Sequence, residues 1–410
     1  MYEKWKTLFL TICIIFLTIS LILHPRAALE ASVRGLHIWW EVVFPSLLPF
    51  FIVSELLINL GVVAFIGILL EPLMRPLFRV PGIGGFVWAM GMASGFPAGA
   101  KLSARLRQTK QLTKIEAERL VSFTNSSNPL FIFGAVSIGF FNNPKLGVIL
   151  ATAHYLSNFT VGLIMRFHGS STDNKDKKQT NHRFSITHAF QTLHKTRLQE
   201  KRPIGKLIGD AIISSIQTLL MIGGFIILFS VLNKMLTTFH VTTLFTFVTE
   251  QFLKTLNFSP YFSSPLLSGI FEVTLGSQRI SQIEHTSLLQ QAIVTSFILA
   301  FSGLSIQAQV ASILAETDIR FQPYFIARII QSTLAPLYTY LLWQPLYEKL
   351  HSFSPKSYDI PVFFSKETTS ITKGWDILTT YGPLFTLFFL YVYVSLLLFR
   401  LINKKKPRSS

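Results

Sequence analysis

The stretch SGFPAGAKLS, Ser94–Ser103, is rich in small residues, carries Pro97 and ends in a lysine, yet lies among almost wholly apolar neighbours. It has the look of a phosphate-binding loop. A P-loop needs G-x-x-x-x-G-K-[ST] between a strand and a helix, so that backbone N–H groups cradle phosphates and the lysine reaches them. Here the spacing fails: Gly95 and Gly99 are too close, Ala100 separates Gly99 from Lys101, and Leu102 precedes Ser103. The preceding GGFVWAMGMA has no strand signature. The small residues need another reason.

The surroundings supply one. Of the 410 residues 50% are hydrophobic and 14% charged, against about 25% charged in soluble domains, and the mean hydropathy is +0.46. Apolar runs near 7–23, 38–60, 146–166, 209–232, 324–345 and 381–401 each reach the roughly 20 residues that cross a bilayer. The chain reads as a polytopic membrane protein. The run from Thr7 to Leu23 is longer than the apolar part of a signal peptide, so it reads as a retained first membrane helix. The net charge of +17 sits in short loops beside apolar spans, the positive-inside pattern. No basic stripe with interleaved aromatics offers a nucleic-acid face, so the expected surroundings are a lipid bilayer and no nucleic acid. The lone cysteine, Cys13, lies inside the first apolar run, which leaves no disulfide framework and no cysteine metal site. No nucleotide or metal cofactor is implied.

Charge placement orients the spans. Lys4 and Lys6 at one end, and Arg400, Lys404, Lys405, Lys406 and Arg408 at the other, put both termini in the cytoplasm. The basic insert at 168–206 reads as a cytoplasmic linker, and the charge-balanced stretch 346–380 as an outer loop. Tracing spans back from the linker makes 146–166 run inward and 115–141 outward. The stretch 82–100 must then begin and end inside. In the second half, 381–401 enters, 324–345 exits and 288–315 enters, so 262–282 opens outside. Two short segments broken by Gly or Pro, one opening to each face, are the pattern of inverted-repeat transporters. Helices near 61–80 and 241–257 are read as lying in or near the interface.

The halves align at a constant offset. Gly99-Ala100-Lys101 matches Gly276-Ser277-Gln278 (276 − 99 = 177), and the island from Phe123 to Pro129 matches Ala300 to Ile306 at the same offset. SGFPAGAKLS then forms the tip and second arm of a re-entrant hairpin. Irregular backbone at membrane depth must be buried in protein or line a watery cavity, small residues let the two arms approach, and Pro97 has no N–H to leave unpaired. Half-helices would aim their positive ends at the site, which suits an anionic ligand. Ser94, Gly95, Pro97, Gly99 and Lys101 are therefore candidate substrate-binding residues. Asn125, Ser126, Ser127, Asn128 and Pro129 interrupt an otherwise apolar helix; an unwound segment offers its amides and carbonyls to a ligand, while interhelical hydrogen bonding is the structural alternative. Ser302, Ser305 and Gln307, with Gly303 and Gln309 beside them, are their equivalents.

Glu272, in GIFEVTLGSQR with Thr274, Gly276, Ser277 and Gln278, stands out most. A carboxylate inside a membrane-embedded hairpin is costly and points to function: it carries a coupling proton or contacts substrate, unless it pairs structurally with Arg279 or Lys101. His154 and Asn158 share a helix face at i, i+4 and read as a packing hydrogen-bond pair. No H-E-x-x-H, G-x-S-x-G or paired carboxylates suggest an enzyme.

GFPAGAKLS, TNSSNPLFIFGAV, NPKLG followed by AHYLS, and GIFEVTLGSQ with FSGLSIQAQVASI resemble the sporulation integral membrane protein YlbJ family, across roughly 40–345. That family belongs with the Gate domains of nucleoside transporters and of the ferrous-iron transporter membrane unit. The resemblance implies a protein of endospore-forming bacteria that acts in the mother cell in spore maturation and cortex formation. It also implies movement of dipicolinate out of the mother cell across the outer forespore membrane. One position departs from the family's NNSGP-like pattern: Asn128 replaces a glycine, which alone reaches some backbone angles without strain.

The expected fold is all-α, with about eight transmembrane helices plus two re-entrant helical hairpins in inverted Gate-type repeats. Residues 1–37 would form the first membrane helix and an outer loop, 38–167 the first repeat, 168–206 the linker and 207–345 the second repeat. An outer loop at 346–380 and a last membrane helix with basic tail at 381–410 would complete it. The expected partner is a small organic anion. Two alternatives stand beside it: a nucleoside-type transporter, and a non-transporting scaffold that recruits other sporulation membrane proteins for cortex assembly.

Overall fold

A computed structural model describes residues 2–169, 186–199 and 202–348. Among them every regular element is a helix. The expected outer loop beyond 348, the last membrane helix and the basic tail lie outside the described residues, as do 170–185 of the linker.

Helix α1 (Tyr2–Leu23) covers the first apolar run. Pro25 then opens α2 (Pro25–His37) at a bend of 105°, because a proline is accepted in the first turn, where its missing N–H has no intrahelical partner. The helix continues through a π-helical stretch (Ile38–Val43) into α3 (Phe44–Asn59). The second apolar run is thus the latter part of a longer element that starts at Pro25. Gly61 ends α3 at φ 80°, and α4 (Val62–Phe78) departs at 83°. Next come α5 (Ile83–Ser94) and α6 (Ala98–Gln108), joined by Gly95–Pro97. Thr113 and Glu116 form a reciprocal capping box that starts α7 (Lys114–Thr124). The chain is unwound at 125–128 and resumes as a π-helix (Leu130–Phe140). Asn143 caps α8 (Pro144–Met165), with Pro144 in its first turn. The described part of the linker holds α9 (Ile186–Gln199).

The second half begins with α10 (Ile204–Thr238), whose 35 residues span about 52 Å. It is followed by α11 (Val241–Thr255), α12 (Ser263–Phe271) and α13 (Val273–Ser281). Ser287 caps α14 (Leu288–Phe301), which breaks at Ser302 and Gly303, both at positive φ (66° and 67°). Then follow α15 (Gly303–Ala315) and α16 (Phe321–Leu342). The two helices α8 and α16 are each 22 residues long, and their starts differ by 321 − 144 = 177, the offset noted in the sequence. They pack together, and Gln331 Nε2 donates to the His154 carbonyl at 3.2 Å, between positions again 177 apart.

Among the described residues three helical stretches are long and apolar enough to cross a membrane: 144–165, 204–238 and 288–315. The number rises to five if each bent pair, 11–41 and 47–78, is one span. The described residues thus form an all-helical fold with candidate membrane spans. Two expected spans look different in the structure. The run 115–141 is interrupted at 125–128, and α16, though long enough, carries buried Arg328, Gln331 and Ser332 in its middle.

Two cores hold the bundle. In one, Phe78 stacks on Phe123 (centroids 4.5 Å apart) over Gly162, where a Cβ would strike both rings. In the other, Ile132, Leu146 and Leu150 meet Phe262, Leu266 and Ile298 across the two halves. Helix α10 seats on α2 and α3: Gly35 lies against Ile227, Ser230 Oγ donates to the Ala31 carbonyl at 2.7 Å, and Trp39 Nε1 donates to the Leu219 carbonyl at 2.8 Å.

Candidate functional site

Four irregular segments converge between the halves: the α5–α6 turn, the unwound 125–128, the α12–α13 junction at Glu272, and the break at Ser302. The first three, with α15 that follows the fourth, border a cavity of about 300 Å³. Its floor and sides come from Ser94, Gly95 and Phe96, from Ser127 and Asn128, from Glu272, Val273 and Thr274, and from Ser305, Ile306 and Gln309. The π-helix adds Leu130, Phe131, Gly134 and Ala135, and Ile38, Val43, Leu47, Ile222 and Ile226 close it with aliphatic surface.

Small residues create the first junction. Helices α5 and α6 fold back so closely that Gly91 and Gly99 approach each other around the Thr124 carbonyl, which a Cβ on either would overlap. Gly95, at φ 88°, lies against Asn128. Asn128 ties turn to break: its Nδ2 donates to the Ser94 carbonyl at 2.9 Å, and its Oδ1 accepts the Phe131 N–H at 2.8 Å, capping the π-helix. Asn128 is not among the positive-φ residues, so the asparagine in place of a glycine carries no left-handed strain and supplies a cap instead.

The break is held from behind. Arg328 Nη1 donates to the Asn125 carbonyl at 3.0 Å and Nη2 donates to the Ser122 carbonyl, while Asn125 Nδ2 donates to the Tyr324 hydroxyl at 3.0 Å. His154 Nε2 accepts the Ser127 N–H at 3.1 Å, and the Tyr155 hydroxyl donates to the Ser127 carbonyl at 3.0 Å. The expected His154–Asn158 pair does not form, and the Asn158 amide has no hydrogen-bond partner. Unwinding frees the Ser127 N–H, and that donor takes the imidazole.

In the second junction a Cβ on Gly276 would overlap the Gly269 backbone, so α12 and α13 also touch at glycine. Glu272 caps α13 with its own side chain, Oε1 accepting from Thr274 N at 3.1 Å and Oε2 from Leu275 N at 2.7 Å. Arg279, a considered partner, instead donates to Ser268 Oγ at 2.7 Å. The positive end of α13 is therefore already occupied by a carboxylate. The start of α6 has no side-chain cap.

Of the candidate residues, Ser94, Gly95, Ser127, Asn128, Glu272, Thr274 and Ser305 line the cavity. Gly99, Asn125, Ser126, Gly276, Ser277, Ser302 and Gln307 are buried in the framework behind it, and Pro97 opens α6. Gln278 faces outward. Lys101 does not line the cavity; its Nζ sits over the Phe51 ring, 4.5 Å from the centroid. Among the described residues the one ionisable side chain on the lining is an acid, Glu272. Sequence reading missed Phe96 and Phe131, whose types carry no signal in so apolar a chain. It also missed Arg328 and Glu55, which the rule that charges inside apolar runs mark function would have flagged. No group of three His, Cys, Asp or Glu side chains able to hold a metal occurs among the described residues.

The basic run after SGFPAGAKLS finds its acids elsewhere in the fold. Arg105 pairs with Glu55 at 3.6 Å, and Arg107 with Asp318 at 2.7 Å. Arg320 and His168 both bind the buried Glu118, at 2.8 and 2.7 Å. The Arg107 guanidinium holds the Asp318 carboxyl below the usual carboxylate range.

Residues 40–171 and 219–319 match the profile of the Gate family, described as nucleoside recognition. The chain is also similar to the sporulation integral membrane protein YlbJ of Bacillus subtilis (strain 168). Identity is 54% over 406 residues, covering 98% of this chain and 99% of the relative. No solved structure matches. The chain belongs to the family of sporulation integral membrane protein YlbJ and carries its Gate domain.

Proposed function

We propose that this member of the YlbJ family is a carrier, not an enzyme, that moves a small organic solute across a membrane during sporulation. The observation that carries the reading is the cavity itself, bordered by two helix-pair tips and two broken helices from opposite halves. Such discontinuous elements, repeated at a fixed offset, are how inverted-repeat transporters build a midplane site. In this reading α5–α6 and α12–α13 are re-entrant hairpins opening to opposite faces, about eight helices span the bilayer, and both termini are cytoplasmic. The solute is a small organic anion, and the family resemblance makes it dipicolinate, leaving the mother cell across the outer forespore membrane for spore maturation and cortex formation. Other sporulation membrane proteins are candidate partners.

A second reading, a nucleoside carrier, is favoured by the Gate description and by a lining without a cation. One experiment separates them. Purified protein in liposomes is given dipicolinate, nucleosides and an unrelated dicarboxylate, and saturable flux is measured. Dipicolinate flux is expected. Gly134→Leu should abolish it with the protein still inserted, because a Cβ there meets only Leu130 Cδ1 at 3.5 Å and the added side chain fills the cavity. Undiminished flux in that variant places the pathway elsewhere.

A further inference from the structure

The cavity sets a condition on any anion that enters it, given the anion-carrier reading above. Among the described residues Glu272 is the one charged side chain on the lining. Of the elements around it, α12, α14, α15 and the π-helix 130–140 contain no titratable side chain. Glu41 of the stretch 38–43 pairs with His37, Glu250 of α11 with Lys254 and Asp210 of α10 with Arg202. Lys101 of α6 and Lys206 and Lys234 of α10 lie off the lining. On its own helix the one charged group, Arg279, is turned to Ser268 Oγ. No described side chain at the site neutralises a second negative charge. Two unit negative charges about 5 Å apart, at an effective dielectric near 20, weaken binding by roughly a hundredfold or more.

We propose that Glu272 takes up a proton when an organic anion occupies the cavity, and that the proton and the anion cross together. The receiving atom is Oε1, whose bond from Thr274 N–H (3.1 Å) is longer than that of Oε2 from Leu275 N–H (2.7 Å). An O–H bond forms at Oε1 with a proton from the aqueous side to which the cavity is open, and Oε1 becomes a weaker acceptor for the Thr274 N–H. On the other side the anion leaves, the O–H bond breaks, the proton goes to water, and Oε1 regains its strength as an acceptor. The carboxylate that caps α13 is thus also the charge compensator. Loading the site loosens one end of the second helix pair, which links occupancy to the position of that pair.

The test uses the full-length protein in liposomes with an entrapped pH dye and an inward dipicolinate gradient. Uptake is expected to acidify the interior, with an initial rate several-fold higher at pH 6 than at pH 8. Glu272→Gln keeps an oxygen that accepts an N–H but takes no proton. Whatever dipicolinate flux it retains should carry no acidification and show a flat pH profile. Dipicolinate flux without acidification in the unaltered protein overturns the proton step alone, whether or not the variant folds. Acidification that survives in Glu272→Gln means that the proton rides on the solute, and overturns the assignment to Glu272. Flux of nucleosides but not dipicolinate removes the anion premise and the proposal with it. Flux of no solute removes the transport reading itself.

Discussion

Arg328 brings a positive charge into the protein interior at 0% exposure. What answers it is not a carboxylate but the carbonyls of Ser122 and Asn125, at the C-terminal end of α7, with the Tyr324 ring 5.3 Å away. Unpaired C-terminal carbonyls carry the negative end of the helix dipole, so the guanidinium completes a helix that stops inside the protein. Arg328→Met leaves both carbonyls without that donor, at about 1–3 kcal/mol for each. A lysine restores the charge but not the forked geometry, so Arg328→Lys should fall between. Thermal unfolding in detergent, followed by tryptophan fluorescence, should rank the three proteins in that order. Equal midpoints would mean that the break stands without Arg328. Glu272 was legible in the sequence because a carboxylate amid apolar residues is conspicuous. Its capping role was not, since that depends on the two N–H groups that follow it in a bent backbone.

At the scale of elements, three helix starts carry residue types that favour caps. Thr113 with Glu116, Asn143 with Pro144, and Ser287 all cap as their types suggest. The small-residue stretch foretold the close approach of α5 and α6. The cavity walls were not legible, because Ile222, Ile226 and Leu47 differ in no way from residues that face lipid. Glycine shows the same divide. Gly99 and Gly209 both lie in helices, yet a Cβ on Gly99 would overlap the Thr124 carbonyl while nothing lies within 4 Å of one on Gly209. Gly99→Ala should therefore part α6 from the break and cut the yield of monodisperse protein in gel filtration. Gly209→Ala should leave the yield unchanged or raise it, since alanine favours a helix over glycine by about 0.5–1 kcal/mol. Equal behaviour of the two would mean that the contact at Thr124 yields easily.

At the scale of the molecule, the offset of 177 links α8 to α16, Gly99 to Gly276 and His154 to Gln331. Sequence likeness between the halves is too slight to fix their relative sense, and a helix reads the same in either direction across a bilayer. Charge bias supplies the sense. Arg105, Arg107, Lys110 and Lys114 follow the first hairpin, whereas Glu284 and His285 follow the second. Under the positive-inside rule the proposed reading puts the two loops on opposite faces. Single cysteines at the tips, Lys110→Cys and His285→Cys, can be read against a Cys13→Ser background, because Cys13 is the one native cysteine. On intact cells a membrane-impermeant maleimide should label His285→Cys at once, and Lys110→Cys only after the membrane is opened. Labelling of both from outside, or of neither, would make the repeats parallel. The two hairpins would then open to the same side, and a shared cavity could not be offered to each face in turn.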